Sequence, residues 1–184
     1  MKKYVAFEKK RCTNLVLKIS PHTSFQDILS RMEKIEFVGC SISSEHIIYS
    51  VLELVNNSLR AQRSRKVDDP ILLNITAESH GFEIELKDWG GGFDVNSLPY
   101  SLEGDIGEVN IHSEDFENYR QFHNYRRFGL GLYLARKTFH DFAIHFFDSE
   151  GNDTEWVKGN SVGTRIKLRA LNARDSISDR RGDI

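Results

Sequence analysis

From Ser43 or Ser44 to about Lys66 the chain carries Ile48, Val51, Leu52, Val55 and Leu59 at helical spacing. A long helix with one apolar stripe must bury that stripe against a second layer. The stretches that follow supply a layer of the right kind. In residues 82–88, Phe82, Ile84 and Leu86 alternate with charged neighbours, and His80-Gly81 separates this run from a similar one at 71–77. The pair reads as a β-hairpin. Residues 13–20 alternate Leu15, Leu17 and Ile19 and read as a further strand. Pro21, Pro70 and Pro99 fall between such periodic segments and punctuate them. After Pro21, Thr23 or Ser24 is placed to cap a helix carrying Phe25, Ile28, Leu29, Met32 and Ile35, with Gly39 as its stop. Leu130–His140 reads as a helix, and 142–148 and 161–168 as closing strands. This order predicts an α+β layer, one sheet with helices on one face.

Length and charge narrow the class. The chain has 184 residues, 25 Lys+Arg against 27 Asp+Glu, 39% hydrophobic and 28% charged residues. That is one ordinary globular domain, taken as residues 1–170, with little for residues 171–184 to bury and disorder expected there. No apolar run is long enough for a membrane span. The N-terminus meets charged Glu8-Lys9-Lys10-Arg11 rather than an apolar stretch, so no secretory signal is expected. Cys12 and Cys40 alone make neither a disulfide framework nor a zinc set. A reduced, cytoplasmic chain follows as the expectation, with no membrane attachment. The near-neutral balance excludes a dedicated nucleic-acid binder.

Chemistry concentrates in two places. Seven of the thirteen glycines lie between Asp88 and Gly131, where the backbone must turn tightly or approach something closely. No P-loop and no dinucleotide fingerprint is present. On the long helix, Glu53 and Asn57 are four apart and share a face opposite the apolar stripe. Their hard oxygens suit water activation or Mg²⁺; the plain alternative is a solvated polar face.

Four short segments in order carry a resemblance: Glu53-Leu54-Val55-Asn56-Asn57-Ser58, Asp88-Trp89-Gly90-Gly91-Gly92, Phe128-Gly129-Leu130-Gly131-Leu132 and Gly163-Thr164. Together they resemble the nucleotide-binding boxes of the GHKL ATPases over roughly residues 13–169. The histidine-kinase-like branch fits best, and within it the stand-alone anti-sigma factor serine/threonine kinases. The resemblance implies a two-layer α/β sandwich with a mixed, mostly antiparallel sheet. It implies ATP and Mg²⁺ as ligands and a lid over about 94–128. Asn57 would ligate Mg²⁺, and Glu53 would orient or deprotonate the attacking group as the catalytic residue. Asp88 would accept from the adenine amino group. Gly90 and Gly92 would turn the chain beside the base, with Thr164 near it. Gly129, Leu130 and Gly131 would bring amides to the phosphates, and Arg127 is a phosphate candidate.

The implied partner is a protein: a sigma factor, an antagonist, or a separate phosphoacceptor. A homodimer is left open. No His-Glu-Leu/Ile-Arg acceptor box is found in the chain, so self-contained histidine phosphorylation is not expected. A nucleotide-switched binding module with little turnover is the competing class. Arg60, Arg63, Arg65 and Lys66 read as a solvated last helical turn. Phe116, Tyr119, Phe122 and Tyr125 read as one stripe that packs the lid. Seven acidic against three basic residues between Asp94 and Phe128 would repel a polynucleotide.

Overall fold

The computed structural model describes residues 3–123 and 130–172. Strands β1 (Tyr4–Phe7) and β2 (Lys10–Cys12) are followed by β3 (Asn14–Ile19), helix α1 (Phe25–Met32), β4 (Ile35–Val38) and helix α2 (Ser44–Arg65). The hairpin β5 (Ile71–Ala77) and β6 (Gly81–Asp88) comes next. After it lie two short 3-10 turns, α3 (Glu114–Phe122), α4 (Leu130–Thr138), β7 (Asp141–Phe147), β8 (Asp153–Thr154) and β9 (Gly163–Leu171). The six-stranded sheet runs β3-β5-β6-β9-β7-β8 and the small sheet β2-β1-β4, and every pairing is antiparallel.

The sheet has one dry face. Leu73 pairs with Leu86 and Ile75 with Ile84, while Ile84 and Leu86 pair with Leu168 and Ile166 across the next ladder. All six side chains are buried. The alternate residues face away and pair by charge, as Lys167 does with Glu85 and Arg169 with Asp141. Helices cover the dry face, so the architecture is the expected two-layer α/β sandwich. Ile47, Val51, Leu54, Val55 and Leu59 of α2 are all essentially inaccessible. Ser43 caps α2 by accepting from the His46 amide at 3.3 Å, and Lys66 ends it in a left-handed conformation at φ 58°.

The chain before α2 departs from expectation. The helix after Pro21 stops at Met32, and Ile35 opens β4 instead of closing that helix. Ile35 and Phe37 alternate inward and bury, and Phe37 packs edge-on against Phe82 at 5.3 Å. The deciding contact is long-range: β1 supplies a ladder from Tyr4↔Val38 to Phe7↔Ile35, which local helical spacing does not register. The β1–β2 hairpin itself and the two-residue β8 also lie outside the sequence reading. At the far end β9 reaches Leu171, and the Asn172 amide donates to His80 O at 3.1 Å. Residues 173–184, on which the disordered-tail expectation mostly falls, lie outside the described residues.

Candidate functional site

The polar stripe of α2 organises the site. Glu53, Asn57, Ala61 and Arg65 succeed one another at steps of four and therefore lie along one side of the helix. Glycines from two separate segments sit on that side. A Cβ added to Gly131 of α4 would stand 2.7 Å from Asn57 Nδ2 and 3.4 Å from Glu53 Cβ. One on Gly90 would stand 2.5 Å from Ala61 Cβ, and one on Gly91 would run into the Arg65 guanidinium. The stripe is thus neither a free solvated face nor a packed core. It is a polar rail against which backbone is laid at close range.

Asp88 ends β6 beside this rail and is buried, 5% exposed. Ser58 Oγ donates to its Oδ2 at 2.7 Å and the Gly90 amide to its Oδ1 at 2.8 Å. Burial pushes its carboxyl above the usual carboxylate range, and these two donors oppose the shift. The turn after it is held twice more. The Trp89 amide donates to Gln62 Oε1 at 3.1 Å, and the Gly91 amide donates to Val162 O at 2.9 Å. Gly91 and Gly92 have φ of 76° and 66°, a backbone region that glycine enters freely. Thr164, buried, lies directly opposite Asp88 in the β6–β9 ladder.

The sequence-selected residues therefore fall into three groups. Asp88, Gly90, Gly92 and Thr164 converge at the end of β6. Glu53, Asn57 and Gly131 meet where α4 crosses α2, and Leu130 opens α4 next to them. Arg127 and Gly129 lie outside the described residues. Ser58 and Gln62 carry the Asp88 turn, a role that no motif in the sequence marks. Their signal was spacing: they are four apart on α2, and Ser58 directly follows Asn57.

Asn57 Oδ1 accepts a hydrogen bond from Arg60 Nη2. Arg63, in the same basic run, donates to Pro21 O at 2.6 Å and to Thr23 O at 2.9 Å. It pins the loop before α1 instead of lying free in solvent, as the basic turn was expected to do. Among the described residues, no group of three or more His, Cys, Asp or Glu converges on a metal position. The donor set fits a magnesium ion held mainly by phosphates and water with one amide oxygen from the protein.

Fold and glycine contacts together define the class: a two-layer α/β domain of the GHKL-like ATPase type. The family model described as histidine kinase-like ATPase domain matches residues 29–158, and the chain belongs to that family. The matched span contains Glu53, Asn57, Asp88, Gly90, Gly92 and Gly131, while Gly163-Thr164 lies beyond it. No significant match to a curated protein is found for the chain. No helix among the described residues is long and apolar enough to cross a membrane.

Proposed function

We propose that the chain binds Mg-ATP along the α2 rail and transfers phosphate to a partner protein, in the manner of an anti-sigma-type serine kinase. The observation that carries this reading is Gly131 lying on Asn57 and Glu53 while Asp88 is fixed by Ser58, one residue further along the same helix. One short stretch of helix then addresses both ends of a nucleotide.

Each residue has a distinct task. Asp88 Oδ1 and Oδ2 each keep acceptor capacity beyond the Gly90 and Ser58 bonds, so the carboxylate can take an adenine amino hydrogen. A guanine carbonyl there would leave two acceptors facing each other in a buried place. Asn57, whose Oδ1 now accepts from Arg60, would hold a magnesium ion through that oxygen. Glu53, half-buried on the same side of the helix, holds or removes the proton of the attacking hydroxyl. Gly131 lets the α4 backbone approach without a Cβ in the way. Bound magnesium would neutralise phosphate charge.

Competition of ATP and GTP against a fluorescent ATP analogue, with and without Mg²⁺, tests the nucleotide reading. ATP should displace the analogue and GTP should not; equal displacement by the two refutes the role of Asp88. Phosphotransfer needs a substrate, and proteins encoded beside this one are the first to try with labelled ATP. An acid-stable product marks serine or threonine phosphate; an acid-labile one marks histidine. Binding without transfer or phosphate release would make the chain a nucleotide-switched binding module.

A further inference from the structure

A cleft of about 1450 Å³ opens between the segment after Gly92 and strand β7; its lining includes no residue of the α2 rail or of Asp88–Gly92, although Gly92 abuts its wall at Phe146 and Trp156. Its wall includes five consecutive residues, Phe142 to Phe146. Consecutive side chains of a strand point to opposite faces, so a cleft lined by all five runs along the strand's edge. Among the described residues, that edge is unpaired for most of its length. β8 pairs only with Phe146 and Phe147, through Thr154 and Asp153, while β9 occupies the other side of β7 from Asp141 to Phe147. In an antiparallel strand, alternate residues direct both N–H and C=O to the unpaired side. From Asp141 to His145 those groups face the cleft.

The flanks of the cleft suit an extended chain. On one side Phe142 and Ile144 continue from the core, with Leu98 and Tyr100 on the facing segment. Phe122, 83% exposed, stands at the rim. The described wall carries four carboxylates, Asp94, Glu103, Asp115 and Glu155, and no Lys or Arg. Acidic lining repels a polynucleotide and favours a cationic guest.

We propose that the open edge of β7 captures an extended, basic segment of a partner protein, which adds to the six-stranded sheet as a strand in line with β8. Main-chain hydrogen bonds to Asp141–His145 supply affinity. Alternate side chains of the guest enter the apolar flank, and its Lys or Arg residues meet the carboxylates. An unguarded edge otherwise invites aggregation; this one carries no lysine or proline along Asp141–His145, and α3 lines the same cleft through Asp115, Asn118, Tyr119 and Phe122. The proposal goes beyond nucleotide binding, although the facing wall of the cleft, residues 94–103, belongs to the segment read as the lid.

The probe is a fluorescently labelled ten-residue peptide of alternating lysine and valine. Two companions accompany it: a glutamate–valine peptide, and the lysine–valine peptide with every second amide methylated. Anisotropy should show binding of the first peptide, and loss of about tenfold or more in affinity for each companion. Glu155→Lys should weaken the lysine–valine peptide and leave binding of the ATP analogue unchanged. Hydrogen exchange should show new protection in Asp141–His145 with the lysine–valine peptide present. Equal binding of all three peptides, or protection that spares β7, overturns the proposal. So does self-association in sedimentation that buries β7 against a second copy.

Discussion

The role proposed for Asp88 can be tested through stability, because its carboxyl group is buried. Its ionised form is disfavoured by burial, so its folded-state pKa lies above the unfolded value. The folded protein then holds the proton more tightly than the unfolded one. The associated stability is fully present below the ordinary value of 3.8 and is lost as pH rises through the folded pKa. Asp88→Asn removes the charge and keeps the shape. Thermal melts should show the variant more stable than the parent at neutral pH, with the gap closing as pH falls toward 3.8. Its ATP affinity should drop at the same time. A variant that gains stability and keeps full ATP affinity would remove Asp88 from the nucleotide site.

Glu53 and Asn57 should fail differently although they share a face. Asn57→Ala removes the proposed metal ligand and should weaken Mg-ATP binding and turnover together, with metal-free nucleotide binding less affected. Glu53→Ala should largely keep affinity and lose roughly 10²–10⁴ in turnover, the range for a positioned general base. Comparable loss of binding in both would make them one metal site. Gly131→Ala probes the same place from α4. Alanine favours a helix by about 1 kcal/mol over glycine, so stability should hold. The added Cβ, 2.7 Å from Asn57 Nδ2, should displace that side chain and reduce Mg-ATP affinity.

At the scale of elements, the described part of the connection between β6 and α4 is anchored by aromatic packing. Phe116 of α3 is 1% exposed and stacks on Tyr100 at 5.6 Å, while Tyr100 meets Tyr133 of α4 edge-on at 6.2 Å. Burial pushes the Tyr100 phenol above its ordinary pKa. The expected aromatic stripe divides: Phe116 packs, Phe122 stands exposed, and Tyr125 lies outside the described residues. With Mg-ATP, hydrogen exchange should slow in the stretch from Asp94 to Glu108, and Phe116 should be protected with or without nucleotide. Phe116→Ala should cost about 3 kcal/mol and speed exchange through α3 even when nucleotide is bound. Unchanged exchange from Asp94 to Glu108 on adding Mg-ATP would remove the lid role.

For the whole molecule, ligand binding must appear as stability. Mg-ATP at about 100 times its Kd adds about 2.7 kcal/mol, which for a domain of this size raises Tm by roughly 5–10 °C. GTP at the same concentration should raise it by far less. A melt indifferent to ATP and GTP alike would refute nucleotide binding by the folded domain.

Local chemistry by itself determined the elements whose signals lie within a few residues. α2 runs from the cap at Ser43 to Lys66 because its stripe and its capping residues are contiguous in sequence. β5 and β6 are legible because alternation and a Gly-bearing turn sit side by side. The order of four short segments, three of them glycine-bearing, carried the resemblance to its family. Long-range contact decided the rest. Ile35 left a helical pattern for a strand because Phe7 and Tyr4, about thirty residues earlier, offered it a ladder. Ser58 and Gln62 acquired their partners only when β6 ended against α2. Among the described residues, the outer edge of β7 is unpaired from Asp141 to His145 because β8 pairs for two residues and departs. Periodicity records which side of an element is dry. Which backbone comes to lie against the polar side, and which edge stays unpaired, depends on residues far away in sequence, and only folding brings those together.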